Sequence, residues 1–281
     1  MQRTTSLLAL SKDCSDTSIT TAAEAALEQE AHLACLLLDT MPGIPGYAYG
    51  STIYGGVTVP DSWLELLQQS RKDAERRAAE IKELLSRSGC SGDVQYAVGA
   101  GTDIRLLTAR RASSCDIAQA AEGLRKNEDV FREAMHGVLF QSPIALMLNG
   151  TPFASPSRVF LAWNSSLAAS RAAHAALPYF RKASEVVIGC FDPDMSDERD
   201  GEDPGTDVAA WLSHHGCSVT VSQFPSGGHE IGRGIRERAK EAGAGLVVMG
   251  AYGHSRVREA VFGGTTRTMM EQADLPVLFA H

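Results

Sequence analysis

Four glycines near the end of the chain stand where backbone could meet a phosphate. The run Gly245-Leu246-Val247-Val248-Met249-Gly250-Ala251-Tyr252-Gly253 is followed by nine residues and then by Gly263-Gly264-Thr265-Thr266. An apolar stretch of strand character opens into a glycine-bearing loop, and the loop returns to a glycine pair at the start of a helical stretch. Without a Cβ, the backbone N–H groups can approach a ligand closely, and a helix N-terminus adds partial positive charge. The chemistry that suits this pattern is phosphate binding, and a nucleotide is the expected ligand. A plain tight turn from strand to helix is the competing reading.

Other candidates read as structure. Gly243-Ala244-Gly245 precedes its strand, so it suits a helix C-cap and not a dinucleotide fingerprint. Gly99-Ala100-Gly101 follows a strand and leads into a short helical stretch, where a turn is the simpler reading. No G-x4-G-K-S/T occurs, and no G-x-S-x-G, which leaves His254 and Ser255 without the context of a catalytic pair. Arg256 or Arg258 could lend charge to a phosphate, or could belong to a solvated turn. His174 lies in an Ala-rich helix, His214-His215 ends another, and His229 follows Gly227-Gly228; packing and capping account for them. No His, Cys or Asp spacing fits a metal site, so neither a metal ligand nor a catalytic residue is assigned. The acidic run Asp192 to Asp203 reads as a solvated loop.

The elements that must position the glycine loop alternate in type. In the second half, strands are expected at Arg158–Trp163, Glu185–Phe191, Cys217–Phe224, Leu246–Gly250 and Leu275–Ala280. Between them, helices are expected at Ser165–Lys182, Thr206–His215, His229–Ala242 and Thr265–Gln272. Apolar strands alternating with helices imply a parallel sheet covered on both faces. The first half repeats the order more faintly. Strands are expected at Ser6–Leu10, His32–Leu38, Val94–Val98 and Ile144–Leu148, with helices at Thr20–Glu30, Trp63–Ser86 and Val130–Leu139. Leu7 to Pro143 spans 136 positions and Val159 to Pro276 spans 117. The excess is close to the length of Met41–Pro60, which holds Tyr47, Tyr49 and Tyr54 among five glycines. Two copies of one α/β unit are therefore expected, at 1–150 and 156–281, the first with an inserted loop at 41–60. That loop suits either a lid or partner surface, or packing on its own domain.

With 281 residues, 44% hydrophobic and 21% charged, the chain can bury two cores. A net charge of −8 disfavours a broad nucleic-acid surface but not one bound nucleotide. The six cysteines form no C-x-x-C pair, and no apolar window nears the roughly 20 residues of a membrane span. With no signal-peptide pattern at the start, a reduced, cytoplasmic setting is expected, with no membrane partner.

These residues resemble the universal stress protein family in its tandem form. The resemblance covers both halves in layout and is specific in the second. The family's nucleotide-binding motif, G-x2-G-x9-G followed by Ser or Thr, is matched in spacing by Gly250, Gly253 and Gly263. Gly264 stands where the hydroxyl residue would, with Thr265 and Thr266 next. The resemblance implies two doubly wound parallel five-stranded sheets in the order 3-2-1-4-5, with the nucleotide at the carboxyl ends of strands 1 and 4. Carried over by position, Ala162, Trp163 and Asn164 form the strand 1 exit, and Phe191 offers backbone to adenine. Met249 and Gly250 complete the wall, while Gly253, Gly263, Gly264, Thr265 and Thr266 surround the phosphates. An Asp is usual in the family at the Asn164 position. The first half has Cys115 to Leu124 where the fourth strand and its loop belong and lacks the second glycine pair. It is expected to bind no nucleotide in the family's manner and to serve as a packing partner.

The resemblance implies a stress-response regulator that binds an adenine nucleotide, ATP first, then ADP or AMP, with Mg²⁺ as a companion. At most slow ATP hydrolysis is expected of it. The last strands, Ile144–Leu148 and Leu275–Ala280, would pair between halves as an intrachain pseudo-dimer or between chains as a homo-oligomer. Two other readings remain: a protein-interaction module with an empty site, and an enzyme on a related nucleotide-binding fold. The signalling partner is left open.

Overall fold

The computed structural model describes residues 4–44, 59–196, 201–252 and 264–281. Ten strands and eight α-helices alternate along these residues. They divide into two compact units. One comprises residues up to Asp116 together with Ala120–Ser142; the other comprises Ile117–Gln119 and Pro143–His281.

In the first unit, β1 (Thr5–Leu10), β2 (His32–Thr40) and β3 (Gly92–Gly99) lie parallel in the order β3-β2-β1. α1 (Asp16–Glu28), α2 (Asp61–Arg87), α3 (Gly101–Ala112) and α4 (Glu128–Gln141) accompany them. β1 and β2 are buried almost throughout, as strands covered on both faces require. α1 starts earlier than its Ala/Glu run suggests, because Ser15 caps it by accepting from the Ser18 N–H at 3.2 Å. α3 is longer than the short stretch expected after Gly101. Asp103 accepts from the Ala100 N–H at 3.0 Å and so closes its N-terminus.

The second unit holds β4 (Ile117–Ala120) through Gln119, with β5 (Ala145–Leu148), β6 (Arg158–Trp163), β7 (Glu185–Phe191), β8 (Val219–Phe224), β9 (Leu246–Gly250) and β10 (Val277–Ala280). Their order is β4-β5-β10-β9-β6-β7-β8. The last five give the expected 3-2-1-4-5 arrangement: β6 is flanked by β7 and then β8 on one side, and by β9 and then β10 on the other, all parallel. β5 joins this sheet through an antiparallel pair with β10, with Leu148 opposite Val277 and Leu146 opposite Phe279. Both strands are wholly buried, so the pair is apolar.

Four helices accompany this sheet: α5 (Leu167–Lys182), α6 (Thr206–His214), α7 (Ile231–Glu241) and α8 (Gly264–Glu271). α5 buries Ala168, Ala169, Ala172, Ala173 and Ala176, and small side chains let a helix backbone lie close to the strands. The core around it includes Val159, Leu161, Phe180, Val186, Ile188, Leu212, Val248 and Leu278.

Candidate functional site

The chain leaves β6 towards β7 on one side and returns through β9 on the other. The carboxyl ends of β6 and β9 are thus the topological switch point of the second unit, where open α/β sheets form a crevice. Ala162 is the register partner of Met249, and Trp163 that of Cys190, which places the exits of β9, β6 and β7 level. Most of the expected site residues are brought together here: Ala162, Trp163, Asn164, Phe191, Met249 and Gly250. α8 begins at Gly264 and carries Thr265 and Thr266 in its first turn. Gly253 and Gly263 lie outside the described residues, as do His254, Ser255, Arg256, Arg258 and the tyrosines of the 41–60 insertion.

Thr266 is buried, and its Oγ1 accepts from the Tyr252 N–H at 3.2 Å. This bond ties the loop leaving β9 to the first turn of α8, so the two ends of the glycine loop are fixed to one another. Tyr252 has φ 60°, Ser165 φ 54° and Asp192 φ 44°. Three non-glycine residues in the left-handed region thus follow β9, β6 and β7 in turn. Each costs on the order of 1–3 kcal/mol, and such strain clusters at functional sites. Hydrogen bonds offset part of the cost. Asp192 Oδ1 accepts from the Ser226 N–H at 2.8 Å, and the Ser226 contacts, side chain first and then N–H, hold the carboxyl below its usual range. Burial pushes the Tyr252 phenol above its ordinary range.

The expected residues have distinct roles. Asn164 is exposed, and its Oδ1 accepts from the Ser166 hydroxyl at 2.7 Å, while Ser166 caps α5 by accepting from the Ala169 N–H at 3.1 Å. Asn164 therefore organises the turn into α5. Gly250 is required by packing. A Cβ there would stand 2.5 Å from the Ala169 N and 2.6 Å from the Ala168 carbonyl carbon. Its missing side chain makes room for the first turn of α5, and the strand end is pinned to that helix. Gly264 differs, since among the described residues its Cβ would find nothing nearer than Glu230 Oε1 at 4.0 Å. Phe191 rests against Phe224, ring centroids 5.1 Å apart, and against Phe160 at 6.4 Å. Its side chain is thus taken up in packing. Leu167, the first residue of α5, is 65% exposed at this end of the sheet.

Sequence reasoning gave no site role to Ser165, Ser166, Asp192, Tyr252 and Glu230. Ser166 was findable, since a serine directly before an apolar helical run is a capping signal. The left-handed residues carry no such signal, because nothing but the fold forces Ser or Tyr to that conformation.

A parallel switch-point crevice with a fastened glycine loop invites comparison with known families. Residues 219–281 match the model of the universal stress protein family. The span runs from β8 through the glycine loop to the end of β10. Solved structures show the same fold over nearly the whole chain. A universal stress protein from Archaeoglobus fulgidus is 15% identical with TM-score 0.65, covering 98% of this chain and 95% of that one. A candidate universal stress protein from Pseudomonas aeruginosa UCBPP-PA14 is 13% identical with TM-score 0.55, covering 99% and 93%. A protein of unknown function from Pseudomonas aeruginosa PAO1 is 12% identical with TM-score 0.52, covering 98% and 92%. No curated protein sequence matches the chain. The universal stress protein resemblance read from the glycine spacing thus holds for the matched segment, and the Rossmann-like fold holds more widely. No helix among the described residues is long and apolar enough to cross a membrane, and no group of three His, Cys, Asp or Glu among them could hold a metal.

Proposed function

We propose that the second unit binds an adenine nucleotide, ATP before ADP or AMP, at the carboxyl ends of β6 and β9, and that the protein is a stress-response regulator. The observation that carries this reading is the bond from the Tyr252 N–H to Thr266 Oγ1. It fastens both ends of a glycine loop with the family's spacing at a switch point. Gly264 and Thr265 would offer first-turn N–H groups to phosphate, and no described atom lies within 4.0 Å of where a Gly264 Cβ would stand except Glu230 Oε1 at that distance. Ala162, Trp163, Asn164, Phe191 and Met249 would border the nucleoside. Mg²⁺ would accompany the polyphosphate. We further propose repeat units at 1–150 and 156–281, a cytoplasmic setting and an intrachain pseudo-dimer. The β5–β10 pairing supports the last.

Calorimetric titration with ATP, ADP and AMP, with and without Mg²⁺, tests the nucleotide reading. Saturable binding is expected; none at millimolar ATP sinks it. Gly253→Val, or a bulky residue at Gly263, is expected to abolish binding by blocking the phosphate path, and retained affinity would relocate the site. The second reading, an interaction module with an empty site, is favoured by the internal use of Asn164 and by Gly250 being committed to α5. Multiple turnover on a defined substrate would favour an enzyme instead.

A further inference from the structure

A carboxylate stands beside the start of α8. Glu230 caps α7: its Oε1 accepts from the Gly232 N–H at 2.9 Å and its Oε2 from the Arg233 N–H at 3.0 Å. The two bonds hold in place a side chain that is otherwise exposed. The same Oε1 lies 4.0 Å from the place a Cβ would take on Gly264. A Cβ on Gly232 would meet that oxygen at 2.7 Å and the Thr265 carbonyl at 3.0 Å, so the first turns of α7 and α8 adjoin with the carboxylate at their junction. Among the described residues, Arg233 and Arg267, the basic residues of those two turns, are bonded to Glu237 at 2.8 Å and to Glu271 at 2.7 Å.

An anion docking on the first-turn N–H groups of α8 therefore meets two opposed fields. The helix terminus attracts it. The fixed carboxylate repels it, and the repulsion grows with every phosphate charge. We infer that Glu230 is a specificity-determining residue of the nucleotide site, selecting ligands whose phosphate charge is low or neutralised by Mg²⁺ over metal-free ATP. The inference rests on the nucleotide reading of the second unit. Glu230 stands beside the start of α8 and not at the strand ends that would border the nucleoside, so it discriminates by charge and not by base.

The test is titration of ATP and AMP into the full chain, its Glu230→Gln variant and its Glu230→Ser variant, each in EDTA and in excess Mg²⁺. Gln keeps one acceptor for the α7 cap, and Ser is a strong neutral cap, so one variant covers for the other if folding suffers. In EDTA the unaltered protein is expected to bind AMP at least as tightly as ATP. Both variants are expected to tighten metal-free ATP about tenfold and AMP about threefold or less, with Mg²⁺ narrowing the gap. Metal-free ATP affinity unchanged in both variants, with nucleotide still bound, overturns the role of Glu230 alone. Absence of ATP and AMP binding in all three proteins overturns the nucleotide reading and this inference with it.

Discussion

The strand-end turn of the first unit is filled by its own side chains, whereas the matching turn of the second is built around backbone. After β1 come Ser11, Lys12, Asp13 and Cys14 before the cap Ser15; after β6 come Asn164 and Ser165 before the cap Ser166. In the first unit the 3₁₀ turn Glu122–Lys126 closes over this region. Leu124 is fully buried, and a Cβ on Gly123 would stand 2.9 Å from Cys14 Cα. Cys14 Sγ accepts from the Ser11 N–H at 3.3 Å, and Lys12 Nζ reaches the buried Asp39 at 2.9 Å. In the second unit the corresponding place is held by Ser165 in the left-handed region, with Tyr252 tied to Thr266.

The two turns also divide one set of parts. Two residues before the cap, the first unit has Asp13 and the second has Asn164. The carboxylate thus sits beside a filled turn, and the amide beside the glycine loop. The packing around such a position decides whether it can meet a ligand.

The widest break in this comparison is Leu124→Ala. Removing a fully buried leucine should destabilise the protein by about 3–4 kcal/mol in urea or thermal unfolding. Nucleotide affinity should not change, and a loss of affinity would show that the first unit takes part in binding.

Next is the contrast between two glycines of the loop. Gly250→Ala forces a methyl into the backbone of Ala168 and Ala169 and should cost about 2–3 kcal/mol. Gly264→Ala meets no described atom nearer than 4.0 Å and should stay within about 1 kcal/mol of the unaltered protein. Equal melting points for the two would refute the packing role of Gly250.

Thr266→Val keeps the shape but leaves the Tyr252 N–H without its acceptor. It should cost about 1–2 kcal/mol and weaken nucleotide binding, whereas Thr266→Ser should restore both. Unchanged affinity in the valine variant would detach the fastening from the function.

The smallest effect belongs to the first unit. The Asp39 hydrogen bond raises the Lys12 ammonium above its ordinary 10.5. Its contribution is therefore full below that pH and fades as pH rises through the higher folded value. Lys12 is half exposed, so solvent screening holds the contribution to less than about 1 kcal/mol. Lys12→Met should flatten this alkaline decline in stability; a decline of the same size in the variant would assign it elsewhere.

Much of this architecture was legible in the sequence. Strands β6, β7 and β9 have the bounds read from their apolar runs, because a strand buried on both faces must be apolar throughout. α3 was underestimated because Arg105, Arg110 and Arg111 interrupt its apolar pattern; in the fold Arg105 pairs with Glu133 and Arg111 with Asp93. β4 was blurred because Ile-Ala-Gln-Ala has one β-branched residue in four.

By itself, the sequence determined the alternation of elements, the family of the closing segment and the place of the glycine loop, since hydrophobic period and glycine spacing are local properties. Tertiary structure alone decided what each glycine and polar residue is for. Gly250 makes room for α5, Thr266 holds Tyr252, and Glu230 sits beside Gly264. Such pairings join residues distant along the chain, and only the packed strands and helices bring their atoms within reach.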